Sequence, residues 1–137
     1  TNYIPAIMAL KQARAAGAIE AIYRSPDGAV YEGTTTNLFI FRGDQLLTPT
    51  TDAILPGITR QTIIELASGS FDLHECDLTL DDVYGADEVF ITASNKEVVP
   101  IVQVDDQHIA DGRPGRRTRQ VMALFRAETD KTAAAQR

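Results

Sequence analysis

Two periods of apolar residues alternate along the chain and predict the order of its helices and strands. Over Tyr3–Ala16 apolar side chains step by three or four residues, which predicts a helix that tolerates Pro5 in its first turn and ends at Gly17. The same period returns over Ile58–Ala67 and over Gly115–Ala127, where it predicts two further helices.

Alternating apolar and polar positions predict the strands, and short turns such as SPDG (Ser25–Gly28) and RGDQ (Arg42–Gln45) predict that several neighbours form hairpins. Pro100 falls inside the last strand and indicates an edge or a bulge, because proline has no N–H for a ladder. The predicted strands are Ala18–Arg24, Ala29–Gly33, Asn37–Phe41, Leu46–Pro49, Phe71–Leu78, Glu88–Ala93 and Glu97–Asp105.

A short helix is expected to begin at Thr79, with Asp81 and Asp82 in its first turn. Strands outnumber helices and many are hairpin-linked. Residues 1–137 are therefore predicted to form one α/β (α+β-like) domain with a mixed, mostly antiparallel sheet and flanking helices. The tail over residues 128–137 is expected to fray.

Composition narrows the class of protein. Of the residues, 44% are hydrophobic and 23% charged, as in a globular domain, and no apolar run approaches the roughly 20 residues that span a bilayer. The formal net charge of -6 disfavours binding to nucleic acid or acidic membranes. We interpret the five arginines between Arg113 and Arg126 as a solvated helix face.

Metal chemistry and disulfides are not expected. Cys76 is the only cysteine, and neither His74 nor His108 has a second ligand at helical spacing. A reducing, cytoplasmic location is the natural expectation for such a chain.

Two polar segments are candidates for chemistry. LPGIT precedes the helix over Ile58–Ala67 and is either an ordinary loop or a place for an anion, because a helix start offers unpaired N–H groups. YEGTTTN brings up Glu32 and removes a side chain at Gly33. Three threonines follow, which are either a surface bend or the polar wall of a ligand site.

Together with the strand end ITASN (Ile91–Asn95), these segments suit a flat cationic ring that carries a phosphate. Glu32 would hold a proton on a ring nitrogen. The helix start with Thr59 would take the phosphate, and Ser94 would add a donor. Pyridoxal phosphate is the cofactor that fits these groups.

The order Asn2-Tyr3, EGTTTNLF, LPGITR, ADEVFITAS and EVVPIVQVD resembles the class IV pyridoxal-phosphate aminotransferases. This family groups branched-chain and D-amino acid aminotransferases with aminodeoxychorismate lyase. The similarity runs from Asn2 to about Phe125 and is to the larger, C-terminal domain of the fold. It implies transamination between an amino acid and a 2-oxo acid by a homodimer that uses pyridoxal 5'-phosphate.

The resemblance also implies a role for individual residues. Glu32 would pair with the pyridine nitrogen, while Ile58 and Thr59 would donate to the phosphate beside Gly57. Leu55 would pack against a face of the ring. The remaining implied contacts are Tyr3 with the phenolic oxygen, Ser94 and Asn95 at a second phosphate-side position, and Thr34, Thr35 and Thr36 on the substrate side. Arg60 belongs to the motif as either a structural or a functional residue.

The family's Schiff-base lysine precedes the asparagine that matches Asn2 by three or four residues, so it is expected upstream of Thr1. The lysines present are Lys11, Lys96 and Lys131, and none matches that position. With the smaller N-terminal domain also absent, the chain is expected to be an inactive fragment of an enzyme. Two alternatives stay open, namely an aminodeoxychorismate lyase-type elimination and a non-catalytic domain that keeps the scaffold.

Overall fold

The computed structural model describes residues 3–33, 36–50, 57–93 and 97–135, with side chains described from Met8 onward. The helices are α1 (Tyr3–Ala15), α2 (Ile58–Ala67), α3 (Leu80–Tyr84) and α4 (Arg116–Ala135). The strands are β1 (Ile22–Arg24), β2 (Ala29–Gly33), β3 (Asn37–Arg42), β4 (Gln45–Thr48), β5 (Asp72–Glu75), β6 (Leu78–Thr79), β7 (Glu88–Ala93), β8 (Glu97–Ile101), β9 (Gln103–Val104) and β10 (Gln107–His108).

A five-stranded sheet in the order β5-β4-β3-β7-β8 organises the domain. Its pairs are antiparallel except for β4 with β5, so the prediction of a mixed, mostly antiparallel sheet is confirmed. Strand β8 carries Pro100 and lies at the edge, as the missing N–H of proline requires. Two smaller sheets, β1-β2-β6 and β10-β9, accompany it.

Both faces of the central pair β3 and β7 are covered. On one face Phe39 stacks on Phe90, with ring centroids 4.9 Å apart, in a core shared with Ile63 of α2 and Val121 of α4. On the other face the alternate residues of both strands pack against the small sheet and α3 in a second core that includes Val30 and Val83. Two covered faces explain why the β3 sequence NLFIF is apolar almost throughout.

Several boundaries agree with the sequence prediction and others differ from it. Helix α2 and strands β2 and β7 have the predicted bounds, and α3 follows Thr79, its N-cap, which forms a capping box with Asp82. The first strand is shorter than predicted: β1 begins at Ile22, and residues 18–21 are not part of it. The predicted strands over 71–78 and 97–105 are each divided in two: Leu78 turns away from β5 to pair with Val30, and β9 turns back on β10.

Helix α4 continues to Ala135, so the predicted end at Ala127 was wrong. The added residues include alanines and a lysine, which have high helix propensity and extend an exposed helix without packing. The expectation that residues 128–137 fray stays a prediction.

A long-range carboxylate caps the start of α4. Glu88 on β7 is 7% exposed and accepts hydrogen bonds from the backbone N–H groups of Arg117 at 3.1 Å and Thr118 at 2.7 Å. Gly115 leaves the room, because a Cβ at this position would overlap the Glu88 carboxylate. The negative charge complements the partial positive charge of the helix start and fixes α4 on the sheet.

Glu88→Ala is therefore expected to lower the free energy of unfolding by about 1–3 kcal/mol, because the buried N–H of Thr118 loses its acceptor. Urea unfolding followed by circular dichroism measures the change. The matched control is Asp44→Ala, which removes an 87% exposed partner of Arg117 on the same helix and should change stability little. Equal loss in both variants would contradict the capping role of Glu88.

Candidate functional site

Helix α2 begins at a glycine without a side-chain cap. Gly57 is the N-cap residue, extended at φ -98° and ψ 151°, and it has no side chain that could accept a cap hydrogen bond. A Cβ at Gly57 would lie 2.6 Å from Asn37 Oδ1, so glycine lets the helix start against the end of β3. Thr59 in the first turn is 8% exposed, whereas the Ile58 side chain is 87% exposed.

Two other helices, α3 and α4, have their first N–H groups capped by side chains of this domain. Thr79 and Asp82 cap α3, and Glu88 caps α4. The first turn of α2 has neither an acidic residue nor a side-chain cap. Of these three helices, α2 is thus the one without a side-chain cap among the described residues, and its first-turn N–H groups and partial positive charge suit an external anion.

The sheet beneath this helix start is polar. Asn37 and Thr92 pair across β3 and β7, two residues beyond the stacked Phe39 and Phe90, and strand alternation gives them the same face. Asn37 is 8% and Thr92 1% exposed, and the Thr92 hydroxyl has no hydrogen-bond partner among the described residues. A buried donor at this place suits a group with acceptor oxygens, such as a phosphate.

Gly33 and Thr36, the described ends of the bend between β2 and β3, are held together near the predicted carboxylate Glu32. The Gly33 N–H donates to the Thr36 carbonyl at 2.8 Å. The Thr36 hydroxyl donates to Glu20 Oε2 at 2.9 Å, and the other oxygen of Glu20 accepts from the Ala21 N–H at 2.9 Å. Thr36 is 4% exposed, so its hydrogen bond to Glu20 is shielded from solvent and holds the end of the bend in place. Its predicted contact with substrate stays a prediction.

Glu32 lies on β2 directly before this bend and is half-buried. Residue 36, which is hydrogen-bonded to Gly33, directly precedes Asn37, and Asn37 adjoins Gly57. Two contacts therefore bring Glu32 near the start of α2. One is the hydrogen bond between Gly33 and Thr36, and the other is the close approach of Asn37 to Gly57. The assignment of Glu32 to the ring stays a prediction.

The other predicted site residues lie outside the described residues or side chains. They are Tyr3, Thr34, Thr35, Leu55, Ser94 and Asn95, with Lys96 beside them. By chain position they flank the described site, because Thr34 and Thr35 stand between Gly33 and Thr36, Leu55 precedes Gly57 and Ser94 follows the end of β7.

Three contributors were missed by the sequence analysis: Glu20, Asn37 and Thr92. Glu20 offers only a weak signal, as a single carboxylate in the otherwise small and apolar stretch AGAIEAI. The sequence pattern assigns Asn37 and Thr92 to strands alone, and their polarity inside buried strands is the signal that they serve another purpose.

Other chemistries find little support in the described ranges. No group of three histidine, cysteine or acidic side chains there is arranged to hold a metal ion. Within the same ranges no helix is long and apolar enough to cross a membrane. Burial, together with the charge of Asp82, raises the pKa of the Cys76 thiol, which disfavours a reactive thiolate.

Comparison with known proteins gives consistent matches. A family model for amino-transferase class IV matches residues 1–104. The chain is 42% identical over 134 residues to the branched-chain-amino-acid aminotransferase of Pseudomonas aeruginosa, with 96% of the chain and 44% of that protein covered. It is 36% identical over 137 residues to the D-alanine aminotransferase of Bacillus licheniformis, with 96% and 48% covered.

A solved structure agrees over the same region. The branched-chain amino acid aminotransferase from Thermobaculum terrenum, in its PLP form (holo form), has a TM-score of 0.83 and 34% identity to the chain. The match covers 90% of this chain and 41% of that one. The chain therefore spans less than half the length of these three relatives.

The close packing around Gly33 can be tested by adding a methyl group there. In Gly33→Ala the new Cβ would lie 2.9 Å from Glu20 Cγ and closer still to the Thr36 hydroxyl, so the hydrogen bond between these side chains has to break. We expect the free energy of unfolding to fall by about 1–3 kcal/mol. Gly69→Ala is the control, because a Cβ there meets nothing within 4 Å. Equal urea midpoints for the two variants would rule out the tight contact.

Proposed function

The chain belongs to the class IV aminotransferase family, and we propose that it is the cofactor-binding part of an enzyme that transfers an amino group between an amino acid and a 2-oxo acid. The observation that carries the proposal is the uncapped start of α2 above the unpartnered Thr92 hydroxyl. The relatives named branched-chain-amino-acid and D-alanine aminotransferase support the reaction class. The PLP form of the structural relative supports pyridoxal 5'-phosphate as the cofactor.

The residues at the start of α2 fit the phosphate of this cofactor. The backbone N–H groups of Ile58 and Thr59 and the Thr59 hydroxyl would donate to it, and Gly57 adds no side chain to the approach. Ser94 and Asn95 would add donors from the end of β7. The absence of an acidic residue from the first turn of α2 removes the internal competitor for these donors.

Bound pyridoxal phosphate would supply an electron sink for negative charge at the α carbon of the substrate. Glu32 would hold the proton on the ring nitrogen through a charged hydrogen bond, which keeps that sink strong. Leu55 would pack on the ring, and Tyr3 would reach its phenolic oxygen. Thr34 and Thr35 would face the substrate from the bend that Glu20 holds.

The lysine that this chemistry uses is proposed to lie upstream of Thr1, because Lys11, Lys96 and Lys131 stand at other places in the motif order. The 137 residues alone would then be inactive, and the cofactor would be bound in the intact enzyme. The working enzyme is proposed to be a homodimer in which both subunits contribute to the pocket. Its substrates are an amino acid and a 2-oxo acid.

Glu32→Gln in the full-length enzyme should retain cofactor and lose most turnover, because an amide cannot hold the ring proton by charge. Absorbance of the bound cofactor and the rate of amino transfer to a 2-oxo acid measure the two properties. Glu65→Gln, which changes an exposed carboxylate on α2, is the control and should behave as wild type.

Near-normal turnover of Glu32→Gln would refute the role of Glu32. The same assay without a 2-oxo acid acceptor separates the reaction classes. Continuous release of pyruvate in its absence would indicate a lyase, whereas at most one equivalent per site, with further amino transfer that requires the acceptor, supports the aminotransferase.

Thr59→Ala should weaken binding of the cofactor by about 1.5–3 kcal/mol, since a hydrogen bond to the charged phosphate is lost. Equilibrium dialysis of the cofactor measures the dissociation constant. Thr62→Ala is the matched control, because its hydroxyl donates to the Ile58 carbonyl at 3.1 Å within the same helix. If both variants bind the cofactor as tightly as wild type, the phosphate lies elsewhere.

A further inference from the structure

Arg60 is a fully buried cation in the first turn of α2, with 1% of its surface exposed. One nitrogen, Nη2, donates to the Pro49 carbonyl at 2.9 Å and to Glu75 Oε1 at 2.7 Å. Pro49 follows β4 and Glu75 ends β5, so a single side chain ties the helix start to the ends of two parallel strands.

The same hydrogen bond joins the residues on either side of the connection between β4 and α2. That connection leaves the sheet after Pro49 and reaches the helix at Gly57. Because Arg60 lies in the turn that follows Gly57 and holds the Pro49 carbonyl, both ends of the connection are fixed by one residue.

Among the described residues, Glu75 is the one carboxylate paired with Arg60, and it compensates the charge of Arg60 only in part. Glu75 is 41% exposed and shared with solvent, and Arg60 Nε has no hydrogen-bond partner among the described residues. A cation at a helix start also opposes the helix dipole, which favours anions there. A buried charge with incomplete pairing lowers the stability of the fold, and apolar side chains would hold the helix and the strands together equally well. Its position is understandable if an anion binds at the same turn.

We propose that Arg60 is a positioning residue for the phosphate site: it orients the first turn of α2 through Pro49 and Glu75, and its buried positive charge strengthens the hold on the phosphate. This inference rests on the proposed function, because it takes the phosphate to bind at α2. Arg60 does not itself contact the cofactor in this proposal. It acts through the geometry and the potential of the turn.

The test compares pyridoxal phosphate with pyridoxal, which lacks the phosphate, in the full-length enzyme. The ratio of their dissociation constants, from equilibrium dialysis, reports the phosphate contribution alone. In Arg60→Met this ratio should fall about tenfold or more while pyridoxal binding changes little. Arg60→Lys, which keeps the charge, should restore most of the ratio. Arg42→Met, which removes an exposed arginine paired with Asp82, should leave it unchanged.

A second variant keeps the proposal testable if Arg60→Met does not fold. Glu75→Gln retains the acceptor for Arg60 but removes the negative charge that offsets it, at a half-exposed position. The phosphate contribution should then rise by about twofold or more. An unchanged or lower ratio overturns the role of the Arg60 charge.

Failure of the inference and failure of the proposed function give different results. If wild type binds pyridoxal phosphate and pyridoxal equally, there is no phosphate site and both fall together. If wild type prefers pyridoxal phosphate, and Arg60→Met either keeps that preference or weakens both ligands equally, the inference alone is overturned. Arg60 would then be a structural tie.

Discussion

Burial of the β3–β7 pair on both faces is the constraint from which the rest of the domain follows. The stacked Phe39 and Phe90 need helices on one side, and Leu38, Ile40 and Ile91 need the small sheet and α3 on the other. Once α2 packs on the phenylalanine face, its start lies against the end of β3. The polar site is thus located where the apolar layers stop.

The helix starts differ in whether a side chain of the domain caps them. Side chains of the domain accept hydrogen bonds from the first N–H groups of α3 and α4. For α4 the acceptor is the carboxylate of Glu88, on a strand that is distant in sequence. The start of α2 keeps its N–H groups and adds the buried charge of Arg60 behind them. A domain that caps two helices so completely and leaves a third open places positive potential where an anionic group can use it.

Local signals in the sequence predicted much of this arrangement. The amphipathic period predicted the position of α2, and Thr79 followed by Asp82 predicted the start of α3. The glycine at the start of α2 indicated a place for an anion. Contacts between distant segments could not be predicted in this way, because Glu88 reaches α4 and Glu20 reaches Thr36 only after the chain has folded. The division of the 71–78 stretch also depends on tertiary pairing, since Leu78 finds its partner in β2.

The register of the central pair also has a consequence for the order of folding. Asn37 pairs with Thr92, 55 positions later in the chain (92 - 37), whereas β3 and β4 are joined by a short turn. Closing the long loop costs chain entropy before any core contact offsets it, so we expect the β3–β4 hairpin to form early and wait for β7. The floor of the site, made by Asn37 and Thr92 together, is then assembled only at this late step. On a ribosome, it forms only after β7 has left the exit tunnel.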